Sequence, residues 1–161
     1  MDLPQPLVLD ADGINALAGH MDEWERRRGR VTVLTPHEGE FLRVGGDLSQ
    51  GRTAAAEDFA RRSGAVVVLK GPGTVVAGPD GRCRVNTTGN CGMAKGGSGD
   101  VLSGVVLALL GLGMDAFDAC CCAVWLHGRA GDLAAQEKGQ WGMTPTDLLE
   151  RLPQALREVT E

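Results

Sequence analysis

The segment "NTTGNCGMAKGGSGDVLSGVVLALLGLG", residues 86–113, changes character at a single acid, Asp100. Before it the residues are small, flexible and polar; after it they are almost wholly apolar. Gly96, Gly97 and Gly99 permit tight backbone angles and bring N–H groups to the surface. The apolar run reads as a buried helix over about 100–110. A helix start of this kind, with free N–H groups and the positive end of the dipole, is an anion site. It is not a P-loop, because no "GKS" or "GKT" follows the glycines. The dipole keeps a carboxylate at this position ionised. Two readings of Asp100 stand side by side: a helix cap, or a base that takes the proton from a hydroxyl attacking a phosphoryl group.

Upstream, "PLVLDADGINAL" reads as a strand over 7–9, an acidic turn and a short helix. "RVTVLTPHEGEFLRVGG" repeats the plan, with a strand over 31–34 and a helix beginning near Pro36. Proline in a first helical turn, with Glu38 and Glu40 close behind, is a start signal, and Gly45-Gly46 stops the run. "TAAAEDFARRSG" is an amphipathic helix ending at Gly64, and "AVVVLKG" is a β-branched run suited to a strand buried on both faces. "TVVAGPDGRCRVN" reads as a hairpin, 74–77 with 82–85, turned by "GPDG". Helices follow over 100–110, over 115–136 and from Thr144, with Pro153 interrupting or kinking the last. This order implies an α/β fold in three α/β/α layers around a mostly parallel central sheet. Repeats, linkers and low-complexity runs are lacking, so residues 1–161 read as one domain.

Ligands of such sheets bind outside the carboxyl ends of the strands. Four features fall there. "LDADGIN" offers Asp10 and Asp12, two positions apart and on one face of an extended strand. They either hold Mg²⁺ through water or cap the next helix, Asn15 assisting; Asp10 leans to the structural role. "TPHEGE" places His37 at a helix start. "LKGPGT" brings Lys70 to neutralise a phosphate and the amides of Gly71, Gly73 and Thr74 to hold nucleotide oxygens; alone, it is also an ordinary surface turn with a solvated lysine. The glycine loop before Asp100 is the fourth.

Composition narrows the partners. The formal net charge is −5 and no long basic stripe exists, which argues against nucleic acid or an anionic membrane. The short basic cluster "WERRRGR", residues 24–30, reads as a solvated helix end. The longest apolar run, residues 101–114, is too short and too rich in Gly and Ser to span a bilayer. Five cysteines, three of them adjacent and none in a CxxC pair, read as buried small hydrophobes of a reducing cytoplasm.

Taken together and in order, "VLDADGINAL", "LTPHEGEFLRV", "VVLKGPGTVVAGPDG" and "NTTGNCGMAKGGSGDVLSGVV" resemble the ADP-dependent NAD(P)H-hydrate dehydratase family of the ribokinase-like superfamily. The resemblance spans nearly the whole chain. "GSGD" before an apolar helix is a ribokinase-like feature; "GNCGMAKGGSGDVLSG" is specific to the dehydratase branch. The resemblance implies a repair lyase that restores NADH and NADPH from their hydrates, with ADP as phosphoryl donor, Mg²⁺ screening the diphosphate, and AMP and phosphate as products. It implies that His37 contacts the hydrate, that Lys70, Gly71, Pro72, Gly73, Thr74 and Gly99, with Gly97, line the nucleotide, and that Asp100 meets the hydrate's hydroxyl. Asn90, with Asn86 and Gly92, is implied to shape the substrate wall. The metal's ligands are not assigned. An NAD(P)H-hydrate epimerase is an expected companion.

Family domains begin upstream of "LDADGIN" and carry a further glycine-bearing segment that helps hold the hydrate. A partial domain with an uncovered sheet edge is therefore expected, and with it homo-oligomer formation. Two other readings share the anion site: a ribokinase-like kinase for a sugar or vitamin-precursor alcohol, which leaves a stable phosphate ester, and an inactive nucleotide-binding fragment, which binds ADP or AMP without turnover.

Overall fold

A computed structural model describes residues 2–160. Five strands form one sheet in chain order: β1 (Leu7–Leu9), β2 (Thr32–Leu34), β3 (Val66–Leu69), β4 (Val75–Ala77) and β5 (Cys83–Val85). β1, β2 and β3 are parallel, and β4 is antiparallel to both β3 and β5. Only β4 therefore runs against the others, and the mostly parallel sheet expected from the sequence is present. The turn at "GPDG" makes the β4–β5 hairpin as read.

Every residue of β3 is buried, and its side chains alternate between two cores. Val67 and Leu69 face Ile14, Trp24, Phe41 and Phe59, which come from α1 (Ala11–Asn15), α2 (Met21–Glu25), α3 (Glu38–Arg43) and α4 (Arg52–Ser63). Val66 and Val68 face Leu102, Val106, Cys120 and Val124 of α5 (Ser98–Gly111) and α6 (Ala116–Gly142). The period of two splits one β-branched run between both faces, which gives the α/β/α layering. Outside α6 lies α7 (Pro145–Thr160), packed through Leu148 and Ala155 against Leu126, Ala130 and Leu133.

Several local readings need correction. Pro36 does not sit in the first turn of α3; His37 is the N-cap and the helix starts at Glu38. Asp10 and Asp12 do not share a strand face, because Asp10 caps α1 and Asp12 is already helical. α6 continues past residue 136 to Gly142, through a kink where Gly139 has φ 72°. α7 runs through Pro153 without ending; only the bond to the carbonyl four residues back is given up. The cysteines are all free, but only Cys120 is buried and Cys91 is exposed. Burial pushes the Cys121 thiol up to about 11. No helix among the described residues is long and apolar enough to cross a membrane.

The basic cluster is the largest correction. Trp24 and Arg27 are only 1% and 2% exposed. The Arg27 guanidinium donates to the carbonyls of Leu3 (2.7 Å), Gln5 (2.9 Å) and Val31 (3.1 Å) and to Thr32 Oγ1 (2.8 Å). It ties the segment before β1 to the start of β2. Charged hydrogen bonds in a dry setting are the strong ones. Arg27→Met is expected to cost about 3 kcal/mol, read as a lower urea midpoint with an unchanged slope. A midpoint equal to that of the native chain excludes the clamp.

Candidate functional site

The carboxyl ends of β1, β2 and β3 sit side by side, and the chain that leaves each supplies one part of a cluster. Past the strands the ladder continues: Thr35 N donates to Leu9 O (3.1 Å) and Lys70 N donates to Pro36 O (2.8 Å), so that His37 and Lys70 form a parallel bridge. Lys70 directly follows β3, all of whose residues are buried. Its Nζ donates to Asp10 Oδ1 at 2.6 Å and lies 3.9 Å from Glu40 Oε2. Ser103 Oγ, one turn into α5, donates to Asp10 Oδ2 (3.0 Å).

The lysine and aspartate side chains are 22% and 16% exposed, so the pair is largely shielded yet open to one side. Burial alone would raise the Asp10 carboxyl; hydrogen bonds from Lys70, Ser103 and the Ala11 amide, with the ammonium charge, overcome that and hold it below its ordinary value. Asp10 thus caps α1 and fixes Lys70 together. The first turn of α5 closes on the pair. A Cβ on Gly99 would stand 3.4 Å from Lys70 Nζ and 3.3 Å from Asp10 Oδ2.

This turn has the features of an anion cradle. Gly97 is the N-cap with φ 96°, a left-handed conformation that disfavours other residues. Among the described residues, the amides of Gly96, Gly97, Gly99 and Asp100 have no hydrogen-bond acceptor. They remain available to an anion at the helix end. Asp100 is exposed, and its carboxylate accepts no hydrogen bond among the described residues. It is not a side-chain cap of its own helix.

The loop after Lys70 is shaped by a residue that sequence reasoning missed. Arg52 Nη1 donates to Pro72 O (2.7 Å) and Nη2 to Leu69 O (2.9 Å). Any Cβ at Gly71 would come within 2.7 Å of this guanidinium. Thr74 Oγ1 donates to Gly71 O (3.1 Å), while the amides of Gly71 and Gly73 stay free among the described residues. On the other flank, His37 Nδ1 accepts from Glu40 N (3.2 Å) and Glu40 Oε2 accepts from His37 N (2.8 Å), a complete capping box. The imidazole is held in place but half-exposed.

Lys70, Asp10, His37 and Gly99 are therefore brought together, with Gly71–Thr74 and Gly97–Asp100 continuous with them. Asn90 is not part of that cluster. Its Nδ2 donates to Asp132 Oδ1 (3.0 Å) and its Oδ1 accepts from Gly92 N (3.0 Å). Asp132 Oδ2 also accepts from Gly89 N (2.9 Å). The loop lies flush on α6 because Gly128 and Gly131 are bare: a Cβ there would come within 2.2 Å of Thr88 and 2.3 Å of Met93. One turn away, buried His127 reaches Ser98 O through Nε2 (2.9 Å). Glu40 was legible at the capping-box spacing from His37. Arg52, Ser103, His127 and Asp132 had no local signal, since each acts on a segment at least 17 residues away.

Known proteins share this sequence pattern and fold. The family model described as NAD(P)H-hydrate dehydratase matches residues 2–154. A bifunctional NAD(P)H-hydrate repair enzyme of Thermofilum pendens is 47% identical over 161 residues, covering 98% of this chain and 30% of that protein. An ADP-dependent (S)-NAD(P)H-hydrate dehydratase of Neisseria meningitidis is 42% identical over 140 residues, covering 84% of this chain and 47% of its own length. The crystal structure of an ADP/ATP-dependent NAD(P)H-hydrate dehydratase from Bacillus subtilis, grown with ATP/Mg²⁺, superposes with TM-score 0.80 at 34% identity, covering 95% of this chain and 55% of that one. A ribokinase-like superfamily protein of Enterococcus faecalis superposes with TM-score 0.79 at 27% identity, covering 96% and 53%. The chain thus spans less than half the length of these two curated relatives and about half of the matched structures.

Proposed function

This chain belongs to the NAD(P)H-hydrate dehydratase family, and we propose that it carries the phosphoryl-transfer face of a site that dehydrates hydrated NADH and NADPH with ADP. One observation carries the reading. A shielded lysine at the end of the central strand adjoins a helix start whose amides are free, and the next residue is an unpartnered carboxylate. That is a place for a migrating phosphate beside a base.

In the proposed reaction the hydrate's hydroxyl oxygen attacks the terminal phosphorus of ADP and the P–O bond to AMP breaks. Asp100 accepts the hydroxyl proton. The amides of Gly97, Gly99 and Asp100 and the Lys70 ammonium take up the charge on the phosphoryl oxygens. The carbon–oxygen bond then breaks, its electron pair leaving with phosphate, and the neighbouring carbon loses a proton to restore the ring double bond. Phosphate leaves far more readily than hydroxide, which is why a kinase-like site serves a dehydration. Gly71, Pro72, Gly73 and Thr74 line the AMP portion. His37, braced by Glu40, contacts the hydrate; Asn90, both ends of its amide engaged, holds the substrate wall in shape. Among the described residues no group of three or more metal-ligating side chains exists. This fits Mg²⁺ held chiefly by nucleotide phosphates and water, screening their charge, with at most one or two carboxylates of this chain. An epimerase that interconverts hydrate forms is the companion activity, and a reducing cytoplasm the setting.

The test mixes the chain with ADP, Mg²⁺ and hydrated NADH and follows recovery of near-ultraviolet NADH absorbance, with AMP and phosphate measured alongside. The expected result is all three in equal amounts. A stable phosphate ester would reassign the site to a small-molecule kinase. ADP binding with no turnover would leave the chain an inactive nucleotide binder.

A further inference from the structure

The turn that carries the free amides and Asp100 is intrinsically weak. Its sequence is Gly97-Ser98-Gly99-Asp100, and Gly99, inside the helix, costs up to about 1 kcal/mol relative to alanine. Its N-cap is Gly97, with no side-chain cap. Something outside the turn must hold it, and the contact comes from α6. His127, in a helix packed against α5, places Nε2 2.9 Å from the Ser98 carbonyl. A carbonyl oxygen has two acceptor sites, so Ser98 O can take this bond as well as a helical one, the turn before it being closed by Val101 N on Gly97 O (3.3 Å). A carbonyl can only accept, so Nε2 carries the proton. A space-filling imidazole would need no such partner.

We propose that His127 is a positioning residue, whose hydrogen bond to Ser98 O ties the first turn of α5 to α6 and fixes the direction of Asp100 and the neighbouring amides. The role in catalysis rests on the function proposed above; the hydrogen bond and its effect on the turn do not. Burial lowers the imidazole to about 4, with Lys70's charge adding to the effect against the Ser98 bond, so it stays neutral and the tautomer is fixed through the physiological range. Asp132, five residues on, anchors the Gly89–Asn90 segment from the same stretch of α6. One rigid helix therefore sets the distance between the anion turn and the substrate wall.

The test needs no ligand at its core. In the native protein, nitrogen NMR of the imidazole is expected to show a protonated Nε2 with a slowly exchanging hydrogen. A bare Nε2 with the proton on Nδ1 overturns the proposal, whatever the variants do. His127→Phe keeps a ring without the donor, and His127→Gln returns an amide donor. In H127F the amides of Val101 and Leu102 are expected to exchange about tenfold faster or more, while those of Val67 and Val68 are unchanged; H127Q restores most of the protection. If H127F exchanges like the native chain, or faster throughout the sheet as well, or if H127Q matches H127F, the positioning role is excluded. With ADP and hydrate, H127F should lower kcat about tenfold with less change in KM. A native kcat alongside a loosened turn would confine the role to structure. No turnover in the native chain would defeat the functional reading and leave the exchange result standing.

Discussion

Replacing Asp100 with asparagine is expected to lower hydrate turnover by about 10²–10⁴-fold, the usual contribution of a general base. The nucleotide affinity should barely move. Asparagine has the size of aspartate but no basic oxygen at neutral pH. The native carboxylate is exposed and accepts no hydrogen bond from any described residue, so its loss orphans no partner. The one structural cost is a weaker interaction with the α5 dipole, about 0.5 kcal/mol at an exposed site. Measuring kcat beside an ADP titration and a melting curve separates these effects. A variant that turns over at the native rate removes Asp100 from the chemistry; one that also loses ADP makes it a binding group.

Lys70→Met should produce two separable losses. The first is in ligand binding. One charged hydrogen bond to a phosphate is worth about 1.5–3 kcal/mol, so ADP should bind roughly 10–100-fold more weakly. The second is in stability, and it has a pH signature. In the native chain the Asp10 carboxyl lies below its unfolded value of 3.8. Its favourable contribution is therefore complete above that value and is lost as pH falls through the folded one. In the variant the bonds from Ser103 and the Ala11 amide remain but the Lys70 hydrogen bond and charge are lost, so the carboxyl rises from its native value and its contribution to folding shrinks. The urea midpoints of the two chains should differ most near neutral pH and converge as pH falls below 3.8 and through the native carboxyl's lowered value. A difference that stays constant with pH would mean that the methionine disturbs packing, not the charge pair.

The contrast between Lys70 and Arg27 shows what a local reading captures. Lys70 follows "AVVVL", whose unbroken β-branched run places it at a strand end where ligands bind, and the structure puts it there. Arg27 sits in a run of arginines that looks solvated, but its partners at Leu3, Gln5 and Val31 lie in the segments that lead into β1 and β2, and no pattern within "WERRRGR" signals them. The glycine loop and its apolar helix were legible because they oppose each other so sharply. The hold on that loop was not, because His127 occupies an apolar helix where any buried residue would suit the periodicity. Asp10 lay between these cases: the capping role follows from its place before a helix, whereas the pairing with Lys70 crosses 60 residues.

That span bears on the order of folding. The charge pair joins segments 60 residues apart, and the Ser103 hydroxyl reaches Asp10 across 93. Bringing such remote segments together is entropically slow, and contacts of this kind complete late. A partly folded chain with a formed β3–β4 hairpin and paired helices would still lack the cradle. Nucleotide capture during refolding would therefore report arrival of the last native contacts, not the growth of helix or sheet.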